Sequence, residues 1–199
     1  MYMINHFEQA IKAEVNELFE TININMLEEA KDMILKAEDC NGRVHVTGIG
    51  KPSYVSGYIA SLLSSTGTPA YFLDGTEAVH GSSGQVKEKD IVIAISNSGE
   101  TEELLYSIRT LKANGAKIIG VSKSIQSSLS QLSDVCLCTC TEDEGDDLNK
   151  PPRASIIKQT LLLQALSILL QEEKQISPRD YVTWHPGGAI GESLGATGG

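Results

Sequence analysis

Hydrophobic residues recur at two different spacings along the chain, and the spacing changes near residue 42. Residues 4–39 contain neither Gly nor Pro, and their apolar positions repeat every three or four residues, as in helices that bury one face. This spacing predicts two helices, or one bent helix, within residues 1–41. The helical pattern ends at the sequence CNGR, where Gly42 is predicted to be the stop signal.

Short apolar runs alternate with helical stretches over the remainder of the chain. Five of these runs are rich in β-branched residues and are predicted to be strands: residues 44–48, 70–73, 91–95, 117–121 and 135–139. Strands that alternate with helices are typical of a parallel sheet covered on both faces. We therefore predict a three-layer α/β fold, a doubly wound five-stranded parallel sheet with N-terminal helices. Residues 154–171 and the tail from Ser177 are predicted to add further helices.

Length and charge limit the kind of protein that this sequence can encode. The 199 residues suffice for one buried core, so we expect a single domain over residues 1–199. The net charge of −10 disfavours binding to nucleic acid or to an anionic membrane. The first residues do not resemble a secretory signal, and the longest apolar stretch, TLLLQALSILL, suits a buried helix better than a membrane span. We therefore expect a cytoplasmic protein.

Three of the four cysteines, Cys136, Cys138 and Cys140, alternate in the sequence VCLCTC. This spacing predicts that their side chains share one face of a strand. The pattern is not a CxxC pair, so we interpret these cysteines as small buried strand residues in a reducing compartment. No metal site is predicted.

Loops at the carboxyl ends of strands are where ligands bind in open α/β sheets, and three loops are compared on that basis, the third being the acidic loop described below. The loop TGIGKPS contains Gly48, Gly50 and Lys51, but it lacks the spacing of an NTPase phosphate loop or a dinucleotide fingerprint. Nucleotide binding is therefore not indicated. The loop SNSGET, residues 96–101, follows the most apolar predicted strand and opens a helix.

The SNSGET loop has the composition of a phosphate site. Ser96, Ser98 and Thr101 offer hydroxyl groups, Gly99 allows close approach of the backbone, and a helix start offers unpaired N–H groups. The alternative is that these hydroxyls only cap the helix, as Ser and Thr commonly do. Both interpretations are open at this point, and the acidic residues that follow are ordinary for a first helical turn.

An acidic loop and two histidines complete the candidate residues. The loop TEDEGDDLNKPPRAS is interpreted mainly as a solvated loop, because its spacing does not fit a calcium-binding loop. His80 and His185 lie beside Gly or Pro in predicted loops and could transfer protons near neutral pH, although either could also be structural. His6 and His45 are interpreted as structural.

Five segments form an ordered set: TGIGKP, STGTPAYFLDGTEAVHG, ISNSGETEE, the acidic loop with Glu144, and WHPGGAIG. In order and spacing they resemble the sugar isomerase (SIS) domain family, which binds phosphosugars, and within it the arabinose-5-phosphate isomerases. The resemblance extends over residues 42–194, the predicted phosphosugar-binding core, and residues 1–41 are the predicted N-terminal helical segment. The sequence departs from the family pattern at Pro52, where a hydroxyl residue usually follows the lysine.

The resemblance implies a phosphate site and a set of catalytic residues. The phosphate-binding residues that it implies are Gly50, Ser96, Asn97, Ser98, Gly99, Thr101 and Ser155. The active-site positions that it implies are Lys51, His80, Glu103, Glu144 and His185. In such domains the site often lies at a subunit boundary. The resemblance therefore implies a homo-oligomer, a dimer or tetramer, in which His80 comes from a neighbour.

The implied reaction interconverts an aldose phosphate and a ketose phosphate, with arabinose 5-phosphate and ribulose 5-phosphate as the first pair. One group must move a proton between adjacent carbons, and another must stabilise the enediolate oxygens. The roles expected from the resemblance are proton transfer by Glu103 or Glu144, oxyanion stabilisation by Lys51, and ring opening or hydroxyl proton transfer by His185. No cofactor and no metal are expected.

Two alternatives stay open: a hexulose-phosphate isomerase of the same fold, and a noncatalytic sensor that binds a phosphosugar or a nucleotide sugar. The acid, lysine and histidine positions favour an enzyme, because a sensor needs only the phosphate site. The sequence ends soon after the matched region, so we expect no regulation by the paired cystathionine-synthase-type domains that often follow it.

Overall fold

The computed structural model describes residues 2–185 and residue 187, and this part of the chain contains seven α-helices and five strands. The helices are α1 (Tyr2–Thr21), α2 (Ile24–Asp39), α3 (Lys51–Ser65), α4 (Glu102–Ala113), α5 (Ser128–Leu132), α6 (Ala154–Glu173) and α7 (Pro178–Trp184). The strands are β1 (Val44–Gly48), β2 (Ala70–Asp74), β3 (Ile91–Ile95), β4 (Lys117–Ser122) and β5 (Val135–Cys138). Every predicted strand is confirmed to within one residue. Two short 3₁₀ turns, Glu77–His80 and Ser82–Gln85, lie between β2 and β3.

The five strands form one parallel sheet in the order β2-β1-β3-β4-β5. One apolar core lies between the sheet and helices α2, α3 and α6, and a second lies between the sheet and helices α4 and α5. β1 and β3 are buried along their whole length, because both of their faces are covered. The predicted three-layer α/β fold with N-terminal helices is confirmed.

The end of α2 differs from the prediction in one detail. Asn41, with a φ of 60°, adopts the left-handed conformation that was expected of a glycine stop. The next N–H, from Gly42, donates to the carbonyl of Ala37 at 2.8 Å. Glycine is required at position 42 for a different reason: a Cβ here would lie only 2.2 Å from the carbonyl oxygen of Lys89.

Helix α1 is attached to the rest of the domain through a buried ion cluster. Lys158, on α6, is fully buried, and its Nζ lies 2.8 Å from a carboxylate oxygen of Glu14 and 2.5 Å from one of Glu17. The other carboxylate oxygen of Glu14 accepts the N–H groups of Glu142 and Asp143 at 2.9 and 2.8 Å. We call Glu14, Glu17 and Lys158 the α1–α6 ion cluster. It fixes both the helix and the acidic loop to α6.

Within the described residues, α6 is the one helix long and apolar enough to cross a membrane, judged by length and composition. Its leucines form part of the core beside α2 and α3. Its middle is joined to α3 by a 2.8 Å hydrogen bond from Gln164 to the hydroxyl of Tyr58. These contacts agree with the prediction of a buried helix.

The prediction that the three alternating cysteines are buried is wrong. Cys136 and Cys138 are half-buried and Cys140 is exposed. β5 is the last strand of the sheet and ends at Cys138, so the chain has left the covered part of the sheet when it reaches Cys140. All four cysteines of the chain are free thiols.

Candidate functional site

The carboxyl ends of β1 and β3 lie side by side in the middle of the sheet, where Gly48 pairs with Ile95. The helices that follow these two strands pack on opposite faces, α3 with α6 and α4 with α5. Ligands of open α/β sheets bind in the crevice that forms at such a point. We call this feature, formed by residues 48–51 and 95–101, the switch crevice.

Helix α4 begins at the switch crevice without a side-chain cap. Thr101 is its N-cap residue, and the hydroxyl of Thr101 does not bond a first-turn N–H group. The first intrahelical bond runs from Leu105 N–H to Thr101 O, so the three N–H groups before Leu105 have no helical acceptor. These groups and the positive end of the helix dipole suit an anion.

The serines of the SNSGET loop bond the loop itself and do not cap α4. Ser96 Oγ accepts the N–H of Gly99, and Ser98 Oγ accepts the N–H of Glu100, both at 3.1 Å. The hydroxyls of Ser96 and Thr101 lie 3.2 Å apart. Of the two interpretations left open by the sequence, capping of α4 therefore does not describe this loop.

Helix α3 also begins at the switch crevice without a side-chain cap. Gly50 is its N-cap residue, with a φ of 69° that favours glycine. Lys51 is the first helical residue, and its side chain is exposed. Pro52 takes a position whose N–H would have no helical acceptor, so the departure from the family pattern removes no helical hydrogen bond. Three other helices are capped by the side chain of their own N-cap residue: α2 by Asn23, α5 by Ser127 and α7 by Ser177.

The SNSGET loop is held rigidly by the start of α5. Glu100 accepts the N–H of Ser128 at 2.8 Å, and the carbonyl of Gly99 accepts the N–H of Leu129 at 3.0 Å. The hydrogen bonds from Ser128 lower the pKa of Glu100 below its ordinary value. Glu100 therefore has a structural partner, whereas Glu103, the second residue of α4, is exposed and forms no ion pair within the described residues.

Replacing Gly99 with Ala is expected to destabilise this loop strongly. Gly99 has a φ of 70°, and a Cβ there would lie 2.3 Å from the Ser127 hydroxyl that caps α5. The backbone conformation alone should lower the free energy of unfolding by about 1–3 kcal/mol, measured by urea denaturation. Gly57→Ala is the matched control, because a Cβ on Gly57 meets open space inside helix α3. Gly57→Ala should raise the free energy of unfolding by about 0.5–1 kcal/mol. Equal effects of Gly99→Ala and Gly57→Ala would contradict the proposed role of Gly99.

Two buried polar atoms beside the crevice lack a hydrogen-bond partner. They are Thr47 Oγ1, near the end of β1, and Asn97 Oδ1, in the SNSGET loop. A buried polar atom without a partner indicates a water or ligand that satisfies it. Thr47 was missed by the sequence analysis, because a single threonine in an apolar strand carries no signal of its own.

Glu144 lies in the acidic loop, which leads from β5 to α6. Its carboxylate is buried and accepts the N–H groups of Arg153 and Ser155 at 2.6 and 3.1 Å. Glu144 therefore caps α6. The hydroxyl of Ser155 is buried and without a partner, and it remains available to a ligand.

No hydrogen bond within the described residues joins either candidate histidine to the switch crevice. His185 follows α7, where it stacks on Tyr181 with ring centroids 4.0 Å apart. Its neighbour Trp184 contacts Gly67, which lies three residues before the start of β2, so His185 lies near the amino ends of the strands. His80 is exposed at the end of a 3₁₀ turn. The motif WHPGGAIG lies partly outside the described residues.

Comparison with known proteins places these features in a family. An SIS domain model matches residues 38–169, about two thirds of the chain. An uncharacterized protein of Helicobacter pylori is 36% identical over 190 residues, which cover 94% of this chain and 58% of that protein. Arabinose 5-phosphate isomerase KdsD of Yersinia pestis is 37% identical over 155 residues, 78% of this chain and 47% of that protein. The chain thus spans about half the length of the curated relatives it matches.

Solved structures share the fold over nearly the whole chain. The Escherichia coli CFT073 protein c3406, in complex with a sugar phosphate, has a TM-score of 0.86 and 32% identity, covering 93% of this chain and 96% of that one. The Vibrio vulnificus NanR protein, complexed with ManNAc-6P, has a TM-score of 0.76 at 20% identity, covering 97% of this chain and 67% of that one, and shares the fold alone. The chain belongs to the SIS domain family and is homologous to the arabinose 5-phosphate isomerases named KdsD.

Proposed function

We propose that the protein is an aldose–ketose isomerase that interconverts arabinose 5-phosphate and ribulose 5-phosphate. The observation that carries this proposal is the switch crevice, where two uncapped helix starts meet beside an exposed lysine and an exposed glutamate. The uncapped N–H groups suit a phosphate, and the two side chains supply the charges that proton transfer at a carbon needs. Homology to the KdsD isomerases supports the same reaction.

Glu103 is the proposed base, and Lys51 is proposed to stabilise the enediolate. The base removes the C2 proton of the aldose and returns it to C1, while the ammonium group offsets the negative charge that develops on the oxygens. Glu144 is less suited to this role in the described arrangement, because its carboxylate already accepts two N–H groups of α6. Ser96, Ser98, Thr101 and Ser155 are proposed to bind the phosphate.

Exchange of the C2 proton with deuterated water tests the proposed reaction. The protein is incubated with arabinose 5-phosphate, and deuterium at C2 and formation of ribulose 5-phosphate are followed by NMR. Hexose phosphates in parallel samples test the hexulose-phosphate alternative. Tight binding of a phosphosugar without exchange on any of these substrates would identify a noncatalytic sensor instead.

Removing the hydroxyl of Thr101 is expected to weaken phosphate binding. A hydrogen bond to a charged group contributes about 1.5–3 kcal/mol, so Thr101→Val should raise the Kd for arabinose 5-phosphate by about 10–100-fold, measured by calorimetry. Thr110→Val is the matched control, because Thr110 lies on the same helix and its hydroxyl bonds only the carbonyl of Tyr106. An unchanged Kd in Thr101→Val would contradict the proposed phosphate site.

The protein is further proposed to be a homo-oligomer, a dimer or tetramer, whose sites combine residues from two subunits. The positions of His185 and Lys51 support this. Within one chain, Lys51 lies at the carboxyl ends of the strands and His185 lies near their amino ends. If both act on one substrate molecule, His185 must come from a neighbouring subunit. His80 is the second candidate for such a contribution.

Coexpression of two inactive variants tests whether subunits share a site. Lys51→Met and His185→Ala should each be inactive alone, whereas random pairing of the two in a dimer leaves roughly one quarter of the sites intact. Recovered activity is measured by the exchange assay, and molar mass by light scattering. A monomeric protein, or a mixed oligomer that stays inactive, would contradict shared sites.

A cytoplasmic location is also proposed. The four free cysteines and the packing of α6 into the core support it.

A further inference from the structure

Two thiols lie side by side where the chain leaves β5. The sulfur atoms of Cys138 and Cys140 are 3.2 Å apart. In an extended strand, the backbone advances by about 6.4–6.8 Å between residues two positions apart. The chain departs from that geometry at Cys140, whose φ of 40° is left-handed. The sulfur–sulfur distance at this bend exceeds the length of a disulfide bond by only about 1.2 Å.

The pair is accessible and is distinct from the third cysteine of the motif. Cys138 is half-buried and Cys140 is exposed, so a small oxidant can reach the pair from solvent. The sulfur of Cys136 instead lies 2.9 Å from the hydroxyl of Ser130, within a buried serine network. No group of three metal-binding side chains occurs among the residues that the structure covers, which favours thiol chemistry over a metal site.

We propose that Cys138 and Cys140 are a redox site that closes reversibly to a disulfide and thereby adjusts the acidic loop. Glutathione disulfide is the proposed oxidant class. One protein thiolate attacks it and releases one glutathione, and the second protein thiolate displaces the other glutathione from the mixed disulfide. Two protein thiols are oxidised to one disulfide, one glutathione disulfide is reduced to two glutathione thiols, and the two protons pass to the released glutathione.

The predicted disulfide is readily reversible. Only Thr139 separates the two cysteines, so the bond closes a short ring and should be strained. Strained and exposed disulfides have more oxidising potentials and are the labile, regulatory ones. In a reducing compartment such a bond forms transiently, as redox-sensing disulfides do.

The redox site is connected to the acidic loop through the α1–α6 ion cluster. The carbonyl oxygen of Cys140 lies 3.4 Å from the Nζ of Lys158, which pairs with Glu14. Glu14 in turn accepts the N–H groups of Glu142 and Asp143. Closing the disulfide moves the backbone at Cys140, so it should disturb these bonds to the loop. Where the proposed function holds, the same change reaches Glu144.

Thiol titration, mass spectrometry and hydrogen exchange test the inference on the full chain. Partial burial and the neighbouring Cys138 raise the pKa of the Cys140 thiol to about 11, so oxidation by glutathione disulfide is carried out at mildly alkaline pH. The wild type is expected to lose two of its free thiols and two hydrogen atoms of mass, to regain both with dithiothreitol, and to change amide protection at residues 142–144.

Serine variants assign the bond. The variants Cys40→Ser and Cys136→Ser should still lose two thiols. The variants Cys138→Ser and Cys140→Ser should form only a mixed disulfide with glutathione. Circular dichroism verifies that each variant is folded. The inference is overturned if the wild type retains four thiols, if the bond maps to Cys136, or if the disulfide leaves amide protection of the loop unchanged. None of these readouts depends on isomerase activity.

Discussion

Glu103→Gln is expected to lower kcat for arabinose 5-phosphate by about 10²–10⁴-fold, the range that general acid–base groups contribute. The amide has nearly the shape of the carboxylate but cannot accept the C2 proton. Glu103 is in the first turn of α4, beside the uncapped N–H groups proposed to bind the phosphate. Binding of the substrate should therefore persist, and the measurement is kcat and Kd for both proteins with C2 exchange as the assay.

Glu102→Gln is the matched control for this prediction, because Glu102 is also an exposed carboxylate in the first turn of the same helix. It changes the charge near the crevice equally, so a comparable fall in kcat would show a general electrostatic effect in place of proton transfer. Glu144→Gln separates the two candidate bases. Loss of exchange in Glu144→Gln with full exchange in Glu103→Gln would reverse the assignment.

Lys158→Met is expected to lower the free energy of unfolding by about 3–5 kcal/mol, the usual effect of removing one partner of a buried ion pair. The Lys158 side chain is fully buried against Glu14, which is itself buried. Met fills a similar volume, so the loss reflects mainly the carboxylate left without its cation. Urea denaturation at neutral pH measures the change.

Lys12→Met is the control, because Lys12 pairs with Glu8 on the exposed face of α1. It should change the free energy of unfolding by less than about 1 kcal/mol. The double variant Glu14→Gln, Lys158→Met should recover part of the lost stability, since it leaves no unpaired buried charge. Equal losses for Lys158→Met and Lys12→Met would mean that the ion cluster does not hold α1.

The same cluster makes stability depend on pH at both extremes. Burial raises the pKa of Glu14, but hydrogen bonds from Lys158 and from the Asp143 and Glu142 N–H groups outweigh it, so this pKa lies below its ordinary value. The contribution of Glu14 is therefore complete above about pH 4.3 and is lost as pH falls through the lowered pKa. Burial lowers the pKa of Lys158, but bonds to Glu14 and Glu17 outweigh it and raise the pKa overall. The contribution of Lys158 to stability is complete below about pH 10.4 and is lost as pH rises through the raised pKa.

The sheet was predictable because its signals are local. Each strand is a short apolar run bounded by polar or glycine residues, and the glycine and hydroxyl residues after β3 marked the switch crevice. Pairing between distant residues was not predictable. Lys158 and Glu14 are separated by 144 positions, and only the presence of a lysine inside the apolar sequence of α6 hinted at a buried partner. The cap that Glu144 provides for α6 likewise depends on the path of a long loop.

The ion cluster at Lys158 also determines where the chain can be cut. The family match begins at residue 38, which would suggest expressing the α/β portion alone. Such a fragment would lack Glu14 and Glu17 and would keep a buried ammonium group with neither counter-ion. It would also lack most of α2, so we expect it to be recovered as insoluble or partly folded material. Adding residues 2–39 as a separate peptide should restore solubility by supplying both carboxylates and the apolar face of α2.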